Sequence, residues 1–257
     1  MFRFYYLIVI SFGLIVYYDL RAKYVLEHED KFDGEYRYRL VQRVFYLIKR
    51  NANIRTVSSG EEKLPREGGY IMYSNHQGKY DLIGIVTSHE EPCTFVMDEE
   101  KSRELLTDKV VRLLDGKRLV KNDIRQQIKE LNVMVDEVKN GRRYVYFPEG
   151  GYDDNGNRLQ EFKPGAFKCA KSAHAPIVPV AIYDSYIVFG FSSLRRVTTQ
   201  VKYLDPIYFE EYGDMSTQQI SYMVKQRIAE QIPVLEENRI KNGYNSWFYK
   251  KMDKNAG

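Results

Sequence analysis

Cysteine is nearly absent. Cys93 and Cys169 are the only two in 257 residues, and they stand far apart. So few exclude a disulfide framework and a cysteine-based zinc site, and two buried thiols in a reducing cytoplasmic setting are expected. A G-x-S-x-G nucleophile elbow is missing, so no serine hydrolase of that kind is expected. There is no RNA-binding aromatic signature, no zinc-finger spacing and no isolated basic arm, so nucleic acid is not an expected partner. Internal repeats and low-complexity linkers are lacking as well. Histidine is scarce: His28, His76, His89 and His174.

What is present fits one globular domain with a short anchoring segment in front. Apolar residues make up 44% and charged residues 29% of the chain, outside the range of disordered chains. Tyrosine is frequent, with 22 copies, and its apolar ring and polar tip suit half-wet surroundings such as membrane interfaces. The net charge of +4 favours an anionic partner without choosing one. Residues 4–18 (FYYLIVISFGLIVYY) are almost purely apolar. As one helix they reach roughly 22 Å, short of the roughly 30 Å hydrocarbon core. The segment is expected to anchor in a bilayer, crossing it only if residues 1–20 all contribute and the bilayer thins. No small-x-small cleavage site follows it. Residues 36–50 (YRYRLVQRVFYLIKR) place Leu40, Val41, Val44, Phe45, Leu47 and Ile48 on one helical face, among Arg37, Arg39, Arg43, Lys49 and Arg50. That is the pattern of a basic amphipathic helix on an anionic bilayer, the alternative being a surface helix packed on the domain core. Residues 1–52 are therefore expected as a two-helix membrane mount and 53–257 as the main domain. The basic residues after the first segment place that domain on the cytoplasmic face of the cell membrane.

Beyond Ile54 short apolar runs alternate with helical patterns. Strands are expected at 69–74, 94–97, 144–147, 177–182 and 199–203. Helices are expected at 123–140, with Ile124, Ile128, Leu131, Val135 and Val138 in one stripe, and from Ser216 to about 231. This alternation predicts an α/β domain with a mixed sheet. Pro179 inside an apolar strand predicts an edge or a bulge.

Among the histidines only His76 has a telling neighbourhood, Ser74-Asn75-His76-Gln77-Gly78-Lys79-Tyr80-Asp81, directly after a strand. With His76 in the loop and Asp81 in the next helical turn the two can meet. The carboxylate then fixes the imidazole tautomer and leaves the other nitrogen as a general base. Tyr146-Phe147-Pro148-Glu149-Gly150-Gly151 leaves another strand into a glycine-rich turn, where the backbone can approach a ligand. Lys121 and Arg125 lie near a helix start that favours anions, and Lys163 follows in a further polar turn.

In this order and at this spacing, the stretches resemble the four blocks of the glycerolipid acyltransferase family, in particular the bacterial 1-acyl-glycerol-3-phosphate acyltransferases. His76 and Asp81 match the N-H-x4-D block, residues 147–150 match F-P-E-G, and Val178-Pro179-Val180 match the last block. Lys121, Asp123, Arg125 and Gln126 resemble the second. The resemblance covers about residues 36–230. It implies the family's mixed α/β domain behind a two-helix membrane-binding segment. His76 would act as base and Asp81 would orient it. Asn75, Lys121, Arg125, Glu149, Gly150, Gly151 and Lys163 would bind substrate. The reaction implied is transfer of a fatty acyl chain from acyl carrier protein or coenzyme A to the sn-2 hydroxyl of lysophosphatidic acid, with no metal and no cofactor beyond the thioester co-substrate. Two departures stand out: Lys121 where the family usually has Arg, and Tyr152 where E-G-T-R usually continues to its Arg. Lys lacks the guanidinium fork that grips phosphate in two places. Another lysolipid acceptor, a thioesterase and a non-catalytic membrane-binding protein of the same fold are the alternatives.

Overall fold

The computed structural model describes residues 2–153 and 155–256. Met1 and Gly257, the outer limits of the two expected segments, lie outside them. Three helices come first, α1 (Phe2–Ile10), α2 (Phe12–Glu27) and α3 (Gly34–Asn51). Then follow β1 (Ile54–Ser59), β2 (Ile71–Ser74), α4 (Asp81–Ser88), β3 (Thr94–Asp98), α5 (Glu99–Ser102), α6 (Leu105–Leu113), β4 (Lys117–Leu119), α7 (Ile124–Lys139) and β5 (Tyr144–Tyr146). The last third holds α8 (Lys168–Ala173), β6 (Ile177–Tyr183), α9 (Ile187–Gly190), β7 (Val197–Tyr203), α10 (Phe209–Tyr212), α11 (Thr217–Ala229), α12 (Gln231–Lys241) and α13 (Ser246–Ala256).

The seven strands form one sheet in the order β1-β7-β6-β2-β5-β3-β4. Neighbours run parallel except β6 and β7, which run antiparallel, so the sheet is mixed as expected. Every residue of β2 and β6 is buried. Both faces of these strands are covered, which is why they read in the sequence as continuous apolar runs rather than alternating ones. Alternation still sorts the side chains. Met72, Val178, Val180 and Ile182 enter one core with Val41 and Phe45 of α3 and Ile85 of α4. Ile71, Tyr73, Ile177 and Ala181 enter the other with Met134 of α7, Cys169 of α8 and Ile220 and Val224 of α11. The result is three layers, helices on both faces of the sheet.

Two expectations about individual elements are corrected, and a third is narrowed to one of its alternatives. Residues 4–18 do not form one helix. The chain breaks at Ser11, and α1 and α2 meet at a bend of 75°. No single helix among the described residues is long and apolar enough to cross a membrane; the bent pair passes that test only taken together. The bend is held from outside: Asn51 Nδ2 donates to Ser11 Oγ at 2.9 Å. The buried Arg3 guanidinium donates to the carbonyls of Ala52, Ser193 and Arg195 at 3.1, 2.7 and 2.6 Å. Second, α3 does not lie free with its apolar face outward. Tyr38, Leu40, Val41, Gln42 and Phe45 are buried. Its polar side chains satisfy carbonyls at the C-terminal end of α4: Tyr38 Oη donates to His89 O (2.9 Å), Gln42 Nε2 to Val86 O (3.0 Å) and Tyr46 Oη to Thr87 O (2.8 Å). Third, of the two places expected for Pro179, the structure has the bulge and not the edge, since the strand is central. Leu204 N–H still donates to the Pro179 carbonyl at 3.0 Å. The donor that Pro lacks falls where the facing chain bulges, since the next pair is Ile177 with Ile207.

Candidate active site

Three loops leave the carboxyl ends of the neighbouring central strands β2, β5 and β6, where ligands of open α/β sheets bind. After β2, Asn75 adds a side-chain rung to the sheet. Its Nδ2 donates to Ile182 O at 3.0 Å, and its Oδ1 accepts from Ile182 N at 2.8 Å. Both ends of that amide are thereby committed to backbone. The chain then turns outward, and His76 is the first side chain to emerge.

Asp81 opens α4 and is fully buried, with a side-chain exposure of 0% against 19% for His76. Its Oδ2 faces His76 Nδ1 at 2.6 Å and also accepts the backbone N–H of Gln77 at 2.6 Å and of Gly78 at 3.0 Å. The loop thus wraps its amides around the carboxylate that ends it, which a spacing of five residues permits and one continuous helix would not. The second oxygen, Oδ1, accepts the Ser185 hydroxyl from the loop after β6. An ionised carboxylate only accepts, so the ring proton belongs on Nδ1, and Nε2 is left with its lone pair. The ring is also clamped by packing: Phe147 stacks on it at 4.4 Å and Tyr152 meets it edge-on at 4.7 Å.

The loop after β5 supplies Glu149, Gly150 and Gly151. Glu149 is buried, and burial pushes its carboxyl up to about 7, against the opposing pull of Gln160 and His76. Oε2 accepts Gln160 Nε2 at 2.9 Å, while Oε1 is buried without a partner in the structure. Gly150 has φ +72°, and a Cβ there would run into the Lys163 side chain. Lys163 is tied to the same turn by its amide, which donates to Pro148 O at 2.9 Å. Its exposed ammonium lies beside the groove described next.

That groove, about 920 Å³, is lined by His76 and by residues of the N-terminal helices. One wall is Phe4, Leu7, Leu14 and Ile15 of α1 and α2, with Val44 and Ile48 of α3. The other includes Val110 of α6 and Ile124, Ile128 and Leu131 of α7. Ile124 and Ile128 are 71% and 51% exposed, so the first part of the α7 stripe faces the groove instead of the core. Gly150, Gly151, Lys163 and Lys121 also line it. Lys121 faces Asp98 Oδ2 at 3.5 Å. Arg125 is exposed one residue into α7 and is not part of that wall. The start of α7 already holds an anion of its own, because the Asp123 carboxylate accepts Gln126 N–H at 3.0 Å. Among the described residues no group of three or more His, Cys, Asp or Glu is placed to hold a metal ion.

The structure therefore brings His76, Asp81, Glu149, Gly150, Gly151 and Lys163 to one place, sets Lys121 further along the groove, and leaves Arg125 outside it. Sequence reasoning missed Ser185 and the ring clamp of Phe147 and Tyr152 on His76. Phe147 and Tyr152 belong to a stretch that drew attention for Glu149, its glycines and the missing Arg, not for rings that pack on His76. Ser185 carries no local signal at all.

Known proteins resemble this chain in sequence and in fold. The family model described as Acyltransferase matches residues 55–183. A probable 1-acyl-sn-glycerol-3-phosphate acyltransferase of Mycoplasma genitalium is 29% identical over 153 residues, 58% of this chain and 54% of that protein. The 1-acyl-sn-glycerol-3-phosphate acyltransferase alpha of Homo sapiens is 31% identical over 177 residues, 62% of this chain and 57% of the relative. The chain thus spans a little over half the length of these curated relatives. In fold, it is like the solved 1-acyl-sn-glycerophosphate (LPA) acyltransferase PlsC of Thermotoga maritima, with a TM-score of 0.71, 18% identity, and coverage of 90% of this chain and 94% of that one.

Proposed function

The chain belongs to the acyltransferase family, and from that premise we propose that it transfers a fatty acyl chain from acyl carrier protein or coenzyme A to the sn-2 hydroxyl of lysophosphatidic acid, giving phosphatidic acid. The observation that carries the reading is the His76–Asp81 pair, 2.6 Å apart, with His76 in the wall of an apolar groove of about 920 Å³. A base in the wall of an apolar groove suits a reaction in which one reactant is a hydroxyl and the other an acyl chain.

In this mechanism His76 Nε2 takes the proton of the acceptor hydroxyl as its oxygen attacks the thioester carbonyl. Asp81 stabilises the imidazolium that forms. The new C–O bond closes a tetrahedral intermediate, the C–S bond breaks, and His76 returns the proton to the departing thiolate. Atoms and charge balance without a metal, a cofactor or an acyl-enzyme. Lys163 and Lys121 would meet the phosphate, and Glu149, Gly150 and Gly151 would shape the turn against the glycerol. Asn75 would contribute by fixing the loop, and Arg125 would act from outside the groove. The relatives' printed names support the acceptor. Residues 1–52 would seat the catalytic part, 53–257, on the cytoplasmic face of the cell membrane. Supporting that, Val9, Phe12, Tyr17 and Leu20 are 75%, 65%, 59% and 61% exposed on α1 and α2, an apolar surface suited to a bilayer.

A second acceptor class has one observation in its favour: Tyr152 packs on His76 where the resemblance leads one to expect a phosphate-gripping Arg. The test is an assay of purified protein in mixed micelles with labelled lysophosphatidic acid and either thioester. Wild type is expected to form phosphatidic acid, and His76→Ala to lose at least about 100-fold in rate. Failure with both donors would exclude lysophosphatidic acid, and a product from another lysolipid would then replace it. Undiminished product from His76→Ala would remove His76 as the base.

A further inference from the structure

We infer that Ser185 is a positioning residue for this chemistry: its hydroxyl, fixed at the end of β6, holds one Asp81 oxygen so that the other stays on His76. The inference rests on the proposed role of His76 as base. Asp81 is fully buried, and its two oxygens are served unequally. Oδ2 has three partners, His76 Nδ1 and the N–H groups of Gln77 and Gly78. Oδ1 has one, the Ser185 hydroxyl. A buried carboxylate oxygen without a donor is costly. Deprived of Ser185, the carboxylate is free to turn about its Cβ–Cγ bond, which moves the acceptor away from His76.

Ser185 is itself held from several sides. Its N–H donates to Gln77 Oε1 at 2.9 Å, and Gln77 Nε2 donates to Ile182 O at 3.1 Å and Asn157 Oδ1 at 3.0 Å. Before it stands Asp184, a buried non-glycine residue with φ +63°. That conformation is unfavourable for a side chain and persists where surroundings over-determine it. Here they do: the Asp184 carboxylate accepts Asn157 Nδ2 at 2.9 Å, Asn245 Nδ2 at 2.7 Å and Tyr249 Oη at 2.6 Å. Asp184 N–H donates to Asn157 Oδ1 at 2.8 Å. Asn245 and Tyr249 belong to the C-terminal part of the chain, so the final helix braces the corner that aims Ser185 at Asp81. Nothing in the proposed mechanism otherwise uses this network.

The experiment compares wild type, Ser185→Ala and His76→Ala. Acyl transfer is measured from lauroyl-, palmitoyl- or oleoyl-coenzyme A to lysophosphatidic acid, with NMR of the ring-15N-labelled histidines and a thermal melt of each protein. Ser185→Ala is expected to fold, to lose roughly 10–100-fold in kcat with the acceptor KM within about twofold, and to lose the hydrogen-bonded His76 Nδ1–H signal. Unchanged kcat with an unchanged Nδ1–H signal in folded Ser185→Ala would overturn the inference, as would a loss shared equally by kcat and KM with that signal intact. If His76→Ala retains wild-type activity, the base assignment fails instead. The Nδ1–H signal then still decides whether Ser185 controls the pair.

Discussion

Lys163 is the residue whose effect on the proposed acceptor is most direct. Its ammonium is exposed at the groove and its stem crosses Gly150, so it is free to meet a phosphate as a point charge. Lys163→Gln is expected to raise KM for lysophosphatidic acid roughly tenfold with little change in kcat, the pattern of lost ground-state binding. Gly150→Ala should do the same or worse, because it brings a Cβ to φ +72° and onto that stem. A KM unmoved in both variants would take the phosphate away from this lysine. Residues of this kind were readable because their partners are close in sequence: His76 meets Asp81 five positions on, and Gly150 precedes Lys163 by one loop. Ser185 was not readable. It reaches Asp81 across 104 positions, serine is common everywhere, and only the parallel pairing of β2 with β6 brings the two loops together.

Among the elements, the strands were legible and the mounting of the N-terminal helices was not. β2, β5 and β6 announce themselves as short β-rich apolar runs because helices cover both faces. The helix start at Asp123 was legible from its cap. β1, with only one buried residue, and β4, with three half-buried ones, leave no such run. At the N-terminus hydropathy sees an apolar stretch but not the contacts that break it, since the groups holding α1 come from Ala52, Ser193 and Arg195. Arg3 is central to that docking. Its guanidinium is buried among carbonyls, with no carboxylate among the described residues bonded to it, and burial lowers its pKa below the usual arginine value. Arg3→Ala is expected to leave those carbonyls without their donor, costing about 2–4 kcal/mol. Limited proteolysis should then cut residues 2–27 faster than in wild type while the bond from residue 76 to 81 persists. Equal cutting rates in the two proteins would mean that apolar contacts alone hold α1, such as Phe4 on Phe189 at 6.0 Å.

For the whole molecule, two buried titratable groups on different loops set opposing pH dependences of stability. His89 is kept neutral: its Nδ1 bonds Glu91 O and its Nε2 bonds Tyr70 Oη, each at 2.6 Å. Burial pushes its pKa down to about 4. The unfolded chain, with an ordinary histidine near 6.5, therefore binds more protons between those values, and the His89 contribution is full above that pH and lost as pH falls. Glu149 runs the other way. Burial raises it to about 7 from an ordinary 4.5, so the folded state binds more protons in that window and stability is lost as pH rises through it. Between about pH 4.5 and 6.5 the two slopes nearly cancel, and wild type conceals both. Glu149→Gln removes one of them. Its amide can fill the position of the unpartnered Oε1 while its oxygen keeps the bond from Gln160. Relative to wild type it is expected to gain about 2–3 kcal/mol of unfolding free energy as pH rises from 4.5 to 7.5. Urea denaturation of both proteins at closely spaced pH values measures that difference directly, because the carboxylates they share drop out of it. A difference that stays constant with pH would place the Glu149 carboxyl in the ordinary range. It would then be a fixed negative charge beside His76 throughout catalysis, favouring the imidazolium, and not a group that neutralises itself near neutral pH.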